Sequence, residues 1–317
     1  MKVLAVDDDP FIRELFPVMF KTAEMIDLSI AEGGKDALAM MSAADQPFDC
    51  FLLDVDMPEM DGIELCKRIR ALPGYSEKPI LMLTARTDVV AIESAFVAGA
   101  NDYISKPFNI KEIFNRIKVA ERLLKLEKTV KQVNALDAVE DTPRGVHDFD
   151  VADKLRLLHV ERLIMSFSMG NYLTQLERGD LNNCQVFGVA LDASETLYNN
   201  SSSREFLTIL TDLADGICET VTCTHLMMSY EGNGKFVCIT RDPDLPEWDV
   251  LEAKLQTIMD DCAHALPVNE EIPVTVSVGT PIAPNANRTQ RVKKTVERAI
   301  GRAQMRVNSK HAHSMTG

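Results

Sequence analysis

The chain has 317 residues, 46% of them hydrophobic, and a formal net charge of −14. That length suits two domains of about 100–200 residues each, and the acidic balance argues against a broad nucleic-acid-binding surface. No apolar run reaches the roughly 18–20 residues that span a bilayer, and Met1-Lys2 runs straight into a short strand without a charged-then-apolar leader, so a cytoplasmic protein with no membrane association is expected.

Apolar runs near Val3–Val6, Leu28–Ala31, Phe51–Asp54, Ile80–Leu83 and Tyr103–Ile104 alternate with helix-period segments. Ile63, Leu65, Cys66, Ile69 and Leu72, for example, are spaced for one buried face. Strand–helix repetition with short links predicts parallel strands joined by right-handed crossovers. Asp9 before Pro10 reads as a helix start, and Asp61 before Gly62 as a cap. Pro17 lies inside the first helical pattern, where it removes a backbone donor and is expected to kink or shorten the helix.

The ends of these strands carry Asp7, Asp8, Asp54, Thr84, Tyr103 and Lys106. Strand ends of a parallel sheet meet in one crevice. Three carboxylates crowded there repel one another unless a cation neutralises them, and magnesium prefers such oxygen ligands. Asp54 is placed to attack a phosphoryl donor while the metal and Lys106 offset charge on the transferring oxygens. Thr84 offers a hydroxyl to the transferred group, and its displacement leaves space for Tyr103 to turn. Asp56 and Arg86, two residues beyond Asp54 and Thr84, flank the site. They form either an ion pair that limits attack by water or two separate solvated charges.

This order and chemistry resemble the phospho-receiver domain of two-component response regulators, over about residues 1–125. The resemblance implies a flavodoxin-like α/β fold with a five-stranded parallel sheet. It implies Asp54 as phosphoacceptor, Asp7 and Asp8 as the acidic pair, and Asp8, Asp54 and the Asp56 carbonyl on Mg2+. It also implies Thr84 and Tyr103 as the switch and Lys106 on the phosphoryl group. The donor is then a phosphohistidine on a sensor histidine kinase or phosphotransfer protein.

From Asn109 a helical pattern continues without glycine or proline to about Leu136, with Val119, Leu123, Leu126, Val130 and Val133 spaced alternately four and three. That is a coiled-coil seam of about two heptads, which favours a homodimer. Residues 109–178 form a helical connector in this reading, with a hinge at Asp137–Asp150, where Pro143 and Gly145 fall. A second amphipathic helix is expected near Val151–Leu176.

Past it, Cys184–Asp192 reads as a strand ending in an acid, Phe206–Thr220 as a helix, and Met227–Tyr230 with Phe236–Ile239 as a hairpin turning on Glu231–Gly234. Leu251–Leu266 is helical, Val274–Gly279 a strand and Arg291–Val307 a final helix. Helices on an antiparallel sheet, an α+β sandwich, follow. The seven cysteines stand singly with no CxxC pair, as reduced thiols do. His225 and His264 lack metal-ligand spacing, and 311–317 is expected to be a disordered tail.

This order resembles a diguanylate cyclase (GGDEF) domain, of nucleotidyl-cyclase-like fold, over about residues 180–310. Where that family has glycine, glycine, acid, acid, phenylalanine, this chain has Gly232, Asn233, Gly234, Lys235 and Phe236. Asp192 survives as one possible metal ligand and Asn200 as the guanine-contacting asparagine. The triphosphate-binding lysine and arginine fall at Gln304 and near Asn308, and the product-inhibition pair at Cys223 and Leu226. The reaction needs carboxylates for two metals, so the resemblance implies a vestigial, non-catalytic domain for which nucleotide is not expected. Lys294, Arg298, Arg302 and Arg306 recur every four residues on the final helix, either as a solvated basic face or as a docking stripe for an acidic partner or a nucleotide phosphate.

The sequence thus points to a response regulator phosphorylated on Asp54, acting through an output protein partner not named by the sequence, and not an enzyme. The alternatives are a working cyclase with substituted ligands and a GTP or cyclic di-GMP sensor; DNA binding ranks last because no basic recognition helix is evident. An unchanged lifetime of phospho-Asp54 in Asp56→Asn excludes the ion pair with Arg86.

Overall fold

The computed structural model describes residues 1–21, 26–85, 89–126, 142–155, 157, 160–222, 225–241, 245–263 and 272–314. The chain divides into two compact units, Met1–Leu126 and Glu127–Gly317.

In the first unit, strands β1 (Lys2–Val6), β2 (Asp27–Ala31), β3 (Cys50–Asp54), β4 (Ile80–Thr84) and β5 (Asp102–Ser105) alternate with helices α1 (Pro10–Phe20), α2 (Gly34–Ala43), α3 (Gly62–Ala71), α4 (Val89–Val97) and α5 (Ile110–Leu126). The sheet has the order β2-β1-β3-β4-β5 and every pair is parallel. The alternation read from the sequence is therefore present. Successive strand residues point to opposite faces. Val3 and Ala5 pack with Phe16 of α1 and Ile113 and Ile117 of α5. Leu4 and Val6 pack with residues of α2, α3 and α4, among them Met41, Leu65 and Ala95.

The helix starts follow the local chemistry. Asp9 Oδ1 accepts from the Phe11 amide at 2.9 Å and Asp61 Oδ1 from the Glu64 amide at 2.7 Å, so both are N-caps. Pro17 does not end the helix: α1 runs through it to Phe20. Pro17 is exposed, so only one water-facing backbone bond is lost. Of the seam residues, Val119 is 48% exposed on α5; the side chains of Leu123 and Leu126, together with Val130 and Val133, lie outside the described residues.

In the second unit, α6 (Ser166–Gln175) and α7 (Arg178–Leu181) precede β6 (Gln185–Leu191), α8 (Ser194–Asn200), α9 (Ser203–Thr220), β7 (Met227–Tyr230), β8 (Lys235–Thr240), α10 (Trp248–Ala263), β9 (Val276–Val278) and α11 (Arg291–Ser314). The sheet order is β7-β8-β6-β9, antiparallel throughout. Phe187, Val189 and Leu191 pack against Phe206, Leu210 and Leu213 of α9 and Leu251 and Leu255 of α10. Ala190 packs on the other face with Ala303 and Val307 of α11. Arg291, 4% exposed, donates from Nη1 to the carbonyls of Leu173 at 3.0 Å and Leu176 at 2.7 Å, satisfying groups that the end of α6 leaves unpaired.

Three expectations for this half are corrected. No helix spans Val151–Leu176; its described residues before α6 are irregular because their polar groups find other partners. Ile164 N–H donates to the Met228 carbonyl at 2.8 Å, and Met228 N–H to the Arg162 carbonyl at 2.9 Å, so the segment bridges to β7. The described part of the hinge, 142–150, is docked on α8 and α9, with Arg144 Nη2 3.0 Å from Glu205 Oε1. The tail is helical to Ser314, because Lys310 Nζ lies 3.0 Å from Glu252 Oε1 and fixes the last turns of α11. His264, Leu266 and Cys223 lie outside the described residues. No helix among the described residues is long and apolar enough to cross a membrane.

Gly62 opens α3 immediately beneath the phosphoacceptor candidate. A Cβ on Gly62 would land on the Asp54 carbonyl oxygen, which the rigid β3 backbone cannot yield. Gly62→Ala is expected to destabilise the first unit by about 1–3 kcal/mol in calorimetry, with Trp248 fluorescence reporting an unmoved second unit.

Candidate functional site

The parallel register places the ends of β1, β3, β4 and β5 side by side, with Val6 opposite Leu53, Asp54 opposite Leu83 and Thr84 opposite Ser105. One ligand oxygen from each of Asp7, Asp8 and Asp54 falls within 4.8 Å of the others. Asp7 is fully buried, Asp54 is 5% exposed and Asp8 is half-buried. Lys106 Nζ lies 2.8 Å from Asp7 Oδ2 and 2.7 Å from Asp54 Oδ1, so one ammonium bridges two buried carboxylates. The Lys106 N–H donates to the Thr84 carbonyl at 2.8 Å, tying the β5 exit to β4, and the Lys106–Pro107 peptide is cis.

Burial pushes the Asp54 carboxyl up to about 6; the bond from Lys106 opposes this, and the charges of Asp7 and Asp8 add to it. For Lys106, burial acts downward, and the bonds to Asp54 and Asp7 outweigh it and hold the ammonium above its usual range. Three oxygens of this kind are hard ligands of the type magnesium takes, so the residues fit such an ion. Among the described residues no second cluster of three potential ligands is this close.

Arg13 is a contributor that the sequence reading missed. Its Nη1 donates to the carbonyls of Asp7 at 3.2 Å and Asp8 at 2.6 Å, and its Nη2 lies 3.6 Å from Glu32 Oε1. It therefore fixes the backbone of the loop that presents both acids. Its position in the first turn of α1, after the cap at Asp9, was the available signal. Thr84 is 3% exposed at the end of β4, and Tyr103 is half-buried with its ring edge-on to Phe96 at 6.2 Å. Asp56 is exposed; Arg86 lies outside the described residues, and so does the ion pair expected of it.

The second unit gathers its candidates differently. Asp192, 3% exposed, accepts from Ser277 Oγ at 3.0 Å through Oδ2, while Oδ1 is buried without a partner. Burial raises its pKa, Ser277 and Lys310 oppose the rise, and Glu252 adds to it. Asn200 Nδ2 donates to the carbonyl of Thr196 within its own helix at 2.8 Å. At the hairpin, Gly232, Asn233 and Gly234 all have positive φ, at 83°, 53° and 67°. A Cβ on Gly234 would stand 2.9 Å from Leu191 Cβ and 2.6 Å from Ser194 Cβ. The turn therefore excludes any side chain there, an acid included. Lys235 pairs with Ala190 in the ladder, and Phe236 is fully buried at 5.1 Å from the Tyr230 ring. The basic stripe of α11 is partly committed: Arg302 Nη1 donates to Thr280 Oγ1 at 2.8 Å, and Arg306 Nη2 lies 2.8 Å from Glu252 Oε1.

Residues 3–118 match the family model for the response regulator receiver domain. Among curated proteins, the chain is 36% identical over 143 residues to the DNA-binding response regulator MtrA of Mycolicibacterium smegmatis, covering 45% of this chain and 59% of that one. It is 38% identical over 133 residues to the response regulator MprA of Mycobacterium leprae, covering 42% and 56%. The chain thus spans a little over half the length of these relatives. Among solved structures, the chemotaxis protein CheY4 of Vibrio cholerae is 34% identical, covering 38% of this chain and 97% of that one, with a TM-score of 0.35. Residues 3–118 are the receiver domain of a two-component response regulator.

The raised pKa of Asp54 carries a stability signature. The folded carboxyl holds its proton to about pH 6 and an unperturbed one releases it near 3.8. The folded chain therefore binds more protons in that window and loses stability as pH rises through it. In EDTA, Asp54→Asn is expected to flatten this slope and to raise stability at neutral pH by up to about 2 kcal/mol. Urea titrations at pH values spanning the window measure it; an unaltered slope contradicts the assignment.

Proposed function

We propose that Asp54 accepts a phosphoryl group from a phosphohistidine on a sensor kinase or phosphotransfer protein, and that the second unit is a degenerate GGDEF-like domain that delivers the output without catalysis. The observation that carries the reading is the bridging ammonium of Lys106 among three converging carboxylates. Asp8, Asp54 and the backbone carbonyl of Asp56 would hold Mg2+, which would supply neutralising charge for the incoming phosphoryl oxygens.

The chain's own groups do the remaining work. An Asp54 oxygen forms the new bond to phosphorus as the bond from phosphorus to the donor nitrogen breaks; the donor ring, protonated on its other nitrogen, leaves as neutral imidazole and Asp54 becomes an aspartyl phosphate. Lys106 already touches the nucleophile and keeps its charge beside the transferred oxygens. Thr84 donates its hydroxyl to one of them, and Tyr103, packed on Phe96, is the aromatic group that re-seats.

Output by protein contact, or by rearrangement of a homodimer, accords with the second unit's chemistry. Gly234 excludes an acid from the hairpin tip, and Lys235 adds a cation beside it. The net charge of −14 favours a protein partner over DNA. One observation favours a rival: the unpaired Asp192 Oδ1 is the kind of buried oxygen that a cation or ligand donor satisfies. Nucleotide binding or turnover by residues 180–310 is thus the second reading.

Acetyl phosphate with Mg2+ is expected to add one phosphoryl group to the wild-type chain and none to Asp54→Ala, read by intact mass. Lys106→Met is expected to slow labelling by about 100-fold. Labelling that persists in Asp54→Ala contradicts the reading. For the second unit, incubation with GTP or ATP and Mg2+ or Mn2+ is expected to yield no cyclic nucleotide, and calorimetry with GTP and cyclic di-GMP no binding.

A further inference from the structure

The first described segment of the second unit, Thr142–Lys154, has no helix or strand yet is held at both ends of one face. Its first half covers the α8–α9 turn. Ser203 N–H donates to Thr142 Oγ1 at 3.0 Å and Gly145 N–H to the Ser201 carbonyl at 2.9 Å. The His147 ring stacks on Tyr198 with centroids 3.8 Å apart, its Nε2 is 2.7 Å from the Tyr198 carbonyl and its Nδ1 3.1 Å from Ser203 Oγ. Phe149 lies against Phe206 at 6.3 Å, and its carbonyl accepts from the Tyr198 hydroxyl. The second half covers the hairpin. Asn233 N–H donates to the Val151 carbonyl at 2.6 Å, and Lys154 Nζ lies 2.6 Å from Glu231 Oε2.

The segment therefore lies over Asn200's turn and over Gly232–Gly234 together. The hold on its first half is polar and lies at the domain surface, apart from one side chain. Of residues 142–150 only Phe149 is buried; Pro143 to Val146, Asp148 and Asp150 are exposed. Segments with one buried apolar side chain, otherwise held by bonds at the domain surface, open locally before the domain unfolds. What they leave behind here is a face with the Tyr198 ring, the Phe206 edge and the first amide of the 18-residue helix α9, lined by Ser201, Ser202 and Ser203. Only the fifteen residues 127–141 separate this segment from the end of α5.

We infer that Thr142–Lys154 is an intramolecular latch on a peptide-binding face, and that receiver phosphorylation releases it so that an extended segment of a partner protein takes its place. The release step rests on the function proposed above; the docking and the peptide-binding face do not. The latch itself shows what the face accepts: an extended backbone carrying an aromatic ring and an imidazole two residues apart.

The test uses the full chain and a fluorescent peptide with the sequence of residues 142–154. Hydrogen exchange is expected to rise about tenfold at 142–154 and 201–205 in His147→Ala, with β6 unchanged, and the peptide to bind that variant and not the wild type. Phe149→Ala serves as a second variant, and either one folded suffices. Loss of protection throughout the second unit in both variants, or a peptide that binds neither, overturns the latch. Treatment with beryllofluoride and Mg2+ is expected to produce the same exchange pattern in wild type and none in Asp54→Ala. A chain that labels at Asp54 but keeps the latch protected overturns the coupling alone; a chain that does not label overturns the receiver reading while the variants still judge the docking.

Discussion

The first unit depends on one cation placed where like charges collect. Parallel strands bury Asp7 and Asp54 in one crevice, and two buried carboxylates a few ångströms apart repel strongly. Lys106, arriving from the end of β5, touches both. A buried ion pair of this type adds little net stability, since desolvation offsets much of the attraction. Its value lies in holding the acids close at the expense of stability, which is the condition for binding a divalent ion and a phosphoryl group later. The raised Asp54 carboxyl is the trace of that compromise.

The second unit solves a related problem without surplus charge. Glu252, 6% exposed, sits among Arg306, Lys310 and the Val278 amide; burial acts to raise its pKa, and these partners outweigh it and hold it low. Two basic side chains of α11 are thus spent on a structural carboxylate, which binds α10, β9 and α11 together. Asp192 next to them is left with one oxygen unsatisfied. The two units therefore place acids at strand ends with opposite consequences, one an open charged cluster and the other a closed structural network.

Much of the first unit was legible because its signals are local. Strand–helix alternation gives the sheet, and Asp9-Pro10 and Asp61-Gly62 announce helix starts that the backbone bears out. Asp7, Asp8, Asp54 and Lys106 are brought together as their strand-end positions imply. Arg13 left only its place in the first turn of α1 as a mark, because what it binds is backbone carbonyl. Residues 151–165 misled for a related reason. Their apolar spacing fits a helix, but Arg162 and Ile164 pair with Met228 at the sheet edge, a long-range choice that periodicity does not record. The tail misled because the anchor of Lys310 lies 58 positions earlier, at Glu252. For the second unit, antiparallel order and the hairpin were readable; what the domain does was not.

Gly234 has a consequence for how such a domain changes over time. Its Cα sits against Leu191 and Ser194 in a left-handed turn, so a carboxylate cannot arrive at that place by a single substitution. Strand and helix neighbours would have to shrink or shift first, with no gain in function until the acid followed. A domain in this state is held there by geometry as by a ratchet, and the turn takes on contacts that an active site would forbid, such as the bond from the Asn233 amide to the Val151 carbonyl.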